Sequence, residues 1–269
     1  MFRKRKAYPS DLNDTEWERL KPLLPAPQGR GRKRTVNLRE IVNAIFYILP
    51  TGGQWDYLPH DVPPPDTVYG YFRQWTQDGT GERLNDVLRR KVREAVGKKR
   101  EPTAAIIDSQ AVKTTEEGGP RGFDTGKQVK GRKRPLLVDT LGLVIVAVVH
   151  SAGVQERDGA RLVFAKLREH FSWLKKVWAD GAYAGPKLGE WVKGLFSWVL
   201  DIVTRSDEQV GFQVQPKRWM VERTFGWLNR SRRLSKDYER LPETEEAWIY
   251  TAMTRLMLRR LARQPVACP

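Results

Sequence analysis

Two short apolar runs in this chain each end in an aspartate, and a glutamate follows them on a predicted helix. The runs are Ala104–Asp108 and Lys176–Asp180, and the glutamate is Glu222 within Lys217–Arg233. Short apolar runs bounded by polar residues predict buried strands. The three carboxylates can act together only if the two strands are neighbours in one sheet and the helix crosses them, so this pattern strongly restricts the fold.

The predicted helix over residues 217–233 has one polar side and one apolar side. Residues three and four apart share a helix face, because successive residues are separated by about 100°. The polar stripe contains Arg218, Glu222, Gly226, Asn229 and Arg233. A glutamate among arginines is most often a solvated surface pair. Only the two strand-borne aspartates favour a catalytic role for Glu222.

The order of predicted elements after residue 102 is strand, strand, strand, helix, strand, helix, strand, helix. Pro135–Val138 and Leu143–Val149 flank the turn Asp-Thr-Leu-Gly, which predicts an antiparallel pair. The later elements are predicted helices at 158–170, 186–195 and 244–263 and a predicted strand at 198–203. This order predicts a mixed α/β sheet with helices on both faces, as in an RNase-H-like fold, in which the first and fourth strands are neighbours.

The first hundred residues are predicted to be all-α. The predicted helices lie at 14–24, 37–49, 67–75 and 82–95. Two helices joined by a turn in a basic chain suggest a helix-turn-helix-like DNA-binding region. We therefore predict a helical DNA-binding domain over residues 1–100 and a catalytic domain over residues 101–269.

The charge of the chain favours a polyanionic partner. The 48 Lys and Arg residues exceed the 32 Asp and Glu residues, which gives a formal net charge of +16. A charge of this size favours nucleic acid first and an anionic membrane surface second. No apolar run approaches the roughly 20 residues that span a bilayer, so we expect no membrane partner. The single cysteine, Cys268, is typical of a protein of the reducing cytoplasm.

Three converging carboxylates are suited to phosphodiester chemistry. Two Mg²⁺ ions about 3.5–4 Å apart can activate the attacking oxygen and stabilise the leaving oxygen. Mg²⁺ prefers oxygen ligands such as carboxylates. Neighbouring acids also repel one another unless cations hold them. We therefore expect the geometry of the site to depend on bound metal.

Each acid also has a structural interpretation. Asp108 and Asp180 follow strands, where aspartate often forms turns. Asp139 belongs to a predicted hairpin turn, and Asp158 is predicted to cap a helix. The histidines lack metal-ligand spacing and are interpreted as structural or surface residues: His60, His150 and His170.

Long segments of the chain resemble a bacterial DDE transposase of the insertion-sequence-five family. They include LNDTEWERLKPLLP, IIDSQAVKTTEEGGPRGFDTGKQVKGRKR, WADGAYAG and RWMVERTFGWLNRSRRLSKDYE. The resemblance implies an RNase-H-like catalytic domain that uses Mg²⁺, with Mn²⁺ able to substitute, for DNA cleavage and strand transfer. The acids that match the family pattern are Asp108, Asp180 and Glu222.

The resemblance also implies partners and DNA contacts. The partners are double-stranded DNA, as the terminal inverted repeats of the element and as target DNA, and a second copy of the chain in a homodimer. The location implied is the bacterial cytoplasm, in association with the nucleoid. The residues predicted to bind DNA are Arg218, Arg230, Arg233, Lys130, Arg132, Lys133, Arg134, Arg32, Lys33 and Arg34.

The chain departs from the wider family pattern around Glu222. Arg218 matches the family's arginine, but its tyrosine position falls on Gln215 and its lysine position on Asn229, which Arg230 follows. Two other functions stay open from the sequence. One is an RNase-H-fold nuclease that cuts without joining, and the other is a domesticated DNA-binding regulator with an idle catalytic domain.

Overall fold

A computed structural model describes residues 5–26, 34–167, 173–203 and 217–263. Within these ranges the helices are α1 (Asp14–Leu20), α2 (Leu38–Thr51), α3 (Pro65–Gln77), α4 (Thr80–Ala95), α5 (Glu156–Leu167), α6 (Pro186–Phe196), α7 (Trp219–Asn229) and α8 (Pro242–Arg263). The strands are β1 (Ala104–Lys113), β2 (Gly122–Asp124), β3 (Val129–Asp139), β4 (Val144–Ala147), β5 (His150–Ser151), β6 (Lys176–Ala179) and β7 (Val199–Ile202). No helix in the described ranges is long and apolar enough to cross a membrane.

The strands form one mixed sheet in the order β2-β3-β1-β6-β7, with β4 and β5 also paired to β3. β1 is antiparallel to β3 and parallel to β6, and β7 is parallel to β6. β3 and β4 form the predicted antiparallel pair. The first and fourth predicted strands, β1 and β6, are neighbours, which confirms the mixed α/β, RNase-H-like prediction.

The hairpin of β1 and β3 is longer than the sequence predicts. The apolar run predicts an end at Asp108, whereas β1 continues to Lys113 opposite β3. The basic segment 130–134 precedes the predicted strand Pro135–Val138, but it belongs to β3. Gly131 permits this pairing, because a Cβ there would lie 2.0 Å from the carbonyl oxygen of Val112. Asp108 therefore lies within a strand and not at its end.

Two helix ends also differ from the prediction. α2 continues through Pro50 to Thr51, and Gly52, with a φ of 71°, adopts the left-handed conformation that ends it. α7 ends at Asn229, and Arg233 lies in a following 3₁₀ turn. Arg233 is therefore separated from the polar stripe of α7.

Arginines of β3 are neutralised inside the fold. Arg132 and Arg134 are both fully buried. Arg132 Nη1 lies 2.8 Å from Asp237 Oδ2, and its other nitrogens donate to backbone carbonyls. Arg134 pairs with the buried carboxylate of Glu245 in the first turn of α8. Because a buried charge needs such partners, these pairs hold β3 against the first turn of α8 and the segment that precedes it.

The apolar core has a part on each face of the sheet. On one face, α1 to α4, α7 and α8 pack against a surface that includes Ile106 and Val138. On the other face, α5 and α6 pack against a surface that includes Ile107 and Val177. Alternating residues of β1 therefore serve the two faces.

The N-terminal helices share their core with the sheet and with α8. α4 packs along α8 and β4. Phe72 of α3 stacks on Trp248 of α8 with ring centroids 4.5 Å apart, and Asn85 of α4 donates to the carbonyl oxygen of Val144 at 2.8 Å. The domain boundary at residue 100 stays a prediction. In the structure, the apolar core continues across that boundary.

Asp237→Ala is expected to lower the free energy of unfolding by about 3–5 kcal/mol, because it leaves the buried Arg132 charge without its carboxylate. Urea denaturation at pH 7 measures the change. Asp158→Ala is the control, since that carboxylate is 60% exposed and its loss is expected to cost within about 0.5 kcal/mol. A loss below about 1 kcal/mol for Asp237→Ala would show that the backbone carbonyls alone satisfy Arg132.

Candidate active site

The register of two parallel strands places Asp108 and Asp180 on one face of the sheet. Ile106 of β1 is the partner of Trp178 of β6. Each aspartate lies two residues beyond its member of this pair, and side chains two residues apart share a face. Ile106 and Trp178 both contribute to the core under α7 and α8. Both carboxylates therefore emerge on the side that these helices cover.

α7 brings Glu222 to the same side. The residues that bury this helix are Val221, Phe225 and Leu228. The hydroxyl of Thr224 donates to the carbonyl oxygen of Gly142 at 2.6 Å and holds the helix against the turn between β3 and β4. Glu222 lies at the edge of the buried side, and its side chain is 50% exposed. The helix thus presents a carboxylate that retains access to solvent.

One guanidinium nitrogen lies among the three carboxylates. Arg218 directly precedes α7, and its Nη2 is 3.8 Å from Asp108 Oδ2. The same nitrogen is 3.6 Å from Asp180 Oδ2 and 3.7 Å from Glu222 Oε1. The structure thus places the three acids around one point.

The surroundings of the Asp108 carboxyl disfavour its charged form. Burial raises the pKa of Asp108 to about 6, and the negative charge of Asp180 adds to this increase. The backbone N–H of Ser109 donates to Asp108 Oδ1 at 2.7 Å, which together with Arg218 lowers the pKa, but by less than burial raises it. Such a site favours an additional cation.

The donor set at this point fits a hard divalent ion, which prefers carboxylate oxygens. In the described part of the chain, however, no group of three acidic, histidine or cysteine side chains is already arranged to hold a metal ion. The carboxylates are spaced around the Arg218 guanidinium instead. The chemistry of the three acids therefore suits Mg²⁺ or Mn²⁺, while their present spacing is that of a shared ion pair with arginine.

Four of the basic residues predicted to bind DNA are buried inside the protein. They are Arg132, Lys133, Arg134 and Arg233, each no more than 7% exposed. Lys133 Nζ lies 3.0 Å from Glu156 Oε1, and Arg233 Nε donates to Glu239 Oε1 at 2.8 Å. Charges paired within the fold are not available to a DNA backbone. We therefore withdraw the prediction of DNA contact for these four residues.

Other predicted basic residues lie at the surface. Lys130 and Arg230 are exposed, Arg34 is partly exposed, and the Arg218 side chain is 24% exposed beside the carboxylates. These four stay candidates for contact with phosphate. Three further predicted positions lie outside the described residues: Arg32, Lys33 and Gln215.

A groove lined by both polar and apolar residues runs along the outer part of β1. Its lining includes Gln110, Lys113, Asn229, Ser235 and Lys236. Gln110 Nε2 donates to Asn229 Oδ1 at 3.4 Å, which links β1 to the end of α7. Because Gln110 lies two residues after Asp108, it shares the face of that carboxylate. The sequence-based prediction missed this groove because it ended the strand at Asp108.

The alternative acids have structural roles. Asp139 is confirmed as a turn residue, since its Oδ1 accepts the backbone N–H groups of Leu141 and Leu143 at 2.8 and 2.9 Å. Its Oδ2 pairs with Arg93 at 2.8 Å. Asp158 is not the predicted helix cap, because α5 begins two residues earlier and Asp158 lies in its first turn.

Two family models match the chain. A model described as a transposase DDE domain matches residues 99–257, which is more than half of the chain. The chain therefore belongs to the DDE transposases. A model described as a transposase of the IS4/5 family matches residues 12–85, within the helical N-terminal part. These matches confirm the resemblance that the sequence segments indicate.

Two curated relatives are similar to parts of the chain. The "Insertion element IS402 uncharacterized 16.2 kDa protein" of Burkholderia cepacia is 28% identical over 117 residues, which cover 41% of this chain and 78% of the relative. The "Uncharacterized protein y4sN" of Sinorhizobium fredii (strain NBRC 101917 / NGR234) is 26% identical over 80 residues, which cover 30% of this chain and 64% of the relative. No solved structure matches the chain.

Asp180→Asn is expected to lower the pKa of Asp108 from about 6, because the substitution removes a neighbouring negative charge. The shift of the Asp108 carboxyl carbon in an NMR pH titration measures this pKa. Asp158→Asn is the control and is expected to leave the pKa unchanged. An unchanged value in Asp180→Asn would mean that burial alone perturbs Asp108.

The raised pKa of Asp108 also predicts that the stability of the fold depends on pH. The folded state holds the Asp108 proton more tightly than the unfolded chain does, since the pKa of Asp108 rises from 3.8 to about 6 on folding. This group therefore stabilises the fold at low pH, and its contribution is lost as the pH rises through about 6. Asp108→Asn should abolish that part of the pH dependence in urea denaturation.

Proposed function

We propose that this protein is a DNA transposase that binds the ends of its insertion sequence, cuts a strand at each end and joins the freed 3′ end to target DNA. The observation that carries the proposal is the placement of Asp108, Asp180 and Glu222 around one point that a cation occupies. Membership of the DDE transposases supplies the class of reaction.

The three carboxylates are proposed as ligands of divalent metal. Two Mg²⁺ ions, or Mn²⁺ in their place, would supply activation of the attacking oxygen and stabilisation of the leaving oxygen. Asp108 and Asp180 are held by β1 and by the end of β6, so their positions are set by the sheet. Glu222, half exposed at the edge of α7, can adjust to the substrate. The strands thus fix two ligands, and the helix supplies an adaptable third.

Recognition of the element ends is assigned to α3. This helix buries Val68 and Phe72 and presents the opposite side to solvent. The exposed side includes Tyr69, Arg73, Gln74 and Gln77. Arginine and glutamine side chains can bond base edges in the major groove. Residues 52–64, which contain a 3₁₀ turn, separate α2 from α3, so the arrangement is longer than a simple helix-turn-helix turn.

The DNA strand is proposed to follow the groove along β1 beside the carboxylates. Lys113 and Lys236 line that groove, and Lys130 and Arg230 are further exposed cations. Contacts of this kind with phosphate position DNA without reading its sequence. The groove begins at Gln110, two residues beyond Asp108 on the same face of β1. A DNA backbone in this groove would therefore be placed to present one phosphate to the three acids.

A strand-transfer assay separates the open functions. Labelled element ends are incubated with the full chain, Mg²⁺ and a target plasmid. Ends joined to the plasmid support the transposase, and cutting without joining would favour a nuclease. End binding with neither reaction would favour a regulator. Light scattering of the chain with its DNA ends tests the proposed homodimer, and imaging of a tagged copy in cells tests its association with the nucleoid.

Alanine at any one of Asp108, Asp180 or Glu222 is expected to reduce Mg²⁺-dependent cleavage to the background without enzyme, because each substitution removes a metal ligand. Binding of the element ends should change less than threefold in a gel-shift assay, since α3 lies elsewhere (about the scale of a weak surface contact). Asp158→Asn serves as the matched control. Substantial cutting by any of the three alanine variants would remove that residue from the proposed ligand set.

Salt dependence tests the proposed phosphate contacts. Lys130→Ala and Arg230→Ala should each reduce the slope of log affinity against log salt by about 0.9, the value expected for one phosphate contact on duplex DNA. Fluorescence anisotropy with a pre-cleaved element end measures the slope. Lys187→Ala is the control, because Lys187 is exposed on α6, on the opposite face of the sheet. Slopes equal to that of the control would make the two residues ordinary surface charges.

A further inference from the structure

Arg218 is held more loosely than Arg132, the buried arginine of β3. Its Nη2 lies 3.6–3.8 Å from the three carboxylates, whereas charge-assisted hydrogen bonds are about 2.7–2.9 Å long. Its Nε is buried and has no hydrogen-bond partner in the described structure. Arg132, by contrast, donates from Nε, Nη1 and Nη2 at 2.7 or 2.8 Å. Arg218 therefore neutralises the acids without being locked in place.

The neighbouring lysines are engaged elsewhere. Lys127 Nζ donates to the carbonyl oxygen of Ser109 at 2.8 Å. Lys217 Nζ lies 4.5 Å from the ring centroid of Trp178. In the part of the chain that the structure describes, Arg218 is the basic residue that forms ion pairs with all three acids. Arg218 is thus the cation that the three carboxylates share, and Lys127 adds a weaker electrostatic attraction at Asp108.

We propose that Arg218 is a displaceable counter-ion, which holds the three carboxylates together in the metal-free protein and leaves their centre when a divalent cation binds. This inference rests on the proposed metal-binding function of the same acids. A divalent ion carries twice the charge of the guanidinium and is bound directly by carboxylate oxygens, so it displaces the weaker partner. The freed planar guanidinium can then bond a phosphate of the DNA strand through two parallel N–H groups.

The first test measures metal binding without DNA or catalysis. Mn²⁺ alone is titrated into the full chain, and free Mn²⁺ is followed by electron paramagnetic resonance. Arg218→Ala should bind Mn²⁺ more tightly than the unaltered chain, on the order of tenfold, because the competing positive charge is gone. Arg218→Lys retains the charge and should lie between the two. The double variant that combines Asp108→Asn and Asp180→Asn measures the Mn²⁺ binding that does not involve these two acids.

Lys187→Ala is the control. It removes one positive charge from an exposed residue of α6 on the opposite face of the sheet, and Lys187 forms no ion pair with a carboxylate in the described ranges. Its Mn²⁺ affinity should equal that of the unaltered chain. This comparison separates competition at the centre of the acids from a general change in net charge.

The second test measures stability in EDTA. Arg218→Ala should lower the thermal midpoint, because three acids then lose their shared cation, and Mn²⁺ should raise that midpoint by more than it does for the unaltered chain. Adding Asp180→Asn to Arg218→Ala should restore part of the loss by removing one repelling charge. Lys187→Ala should leave the midpoint unchanged.

The outcomes distinguish this inference from the proposed function. Unchanged or weaker Mn²⁺ binding by Arg218→Ala, when the double asparagine variant has lost the site, would overturn the role of Arg218 and leave the metal site intact. A chain whose Mn²⁺ binding does not depend on Asp108 and Asp180 would overturn both. Tighter binding together with a lower midpoint in EDTA supports both.

Discussion

The parallel pairing of β1 with β6 determines where chemistry can occur in this protein. The two strands are distant in sequence, and their contact at Ile106 and Trp178 places the following aspartates on one face. α7 can bring Glu222 to that face only because its buried side packs on the same core. A shift of the pairing by one residue would turn one aspartate to the other face of the sheet. The site therefore depends on a few backbone hydrogen bonds between these strands.

The positive charge of the chain serves two physically different purposes. Arg132 and Arg134 face inward from β3 and are matched by Asp237 and Glu245, so they connect parts of the fold and contribute little to its outer field. Exposed cations such as Lys130 remain for a polyanion. Net charge alone thus overstates the surface available to DNA, since part of it is compensated in the interior.

The neighbouring first and fourth strands were predicted from the fold class that the element order indicates, and not from a local signal. The local pattern of the sequence predicted the order of the elements, apart from the short strands β2 and β5, and the turn role of Asp139. These features depend on residues close together in the chain, where periodicity and turn chemistry are visible. The length of β1 and the burial of Arg132 were not predictable in this way. The partner of Arg132 is Asp237, more than a hundred positions later, and no local signal shows that the two meet. The contact of Arg218 with all three acids likewise requires the tertiary structure.

The core that joins α3 and α4 to α8 also fixes the distance between α3 and the three carboxylates. Phe72 of α3 stacks directly on Trp248 of α8, so the exposed side of α3 and the three carboxylates belong to one packed body. A duplex bound by α3 would then be positioned so that the acids contact it at a fixed distance along its axis and at a fixed angle around that axis. Under the proposed function, the spacing between α3 and the three carboxylates would set the position of the cut, and the bases at the cut itself would not need to be read.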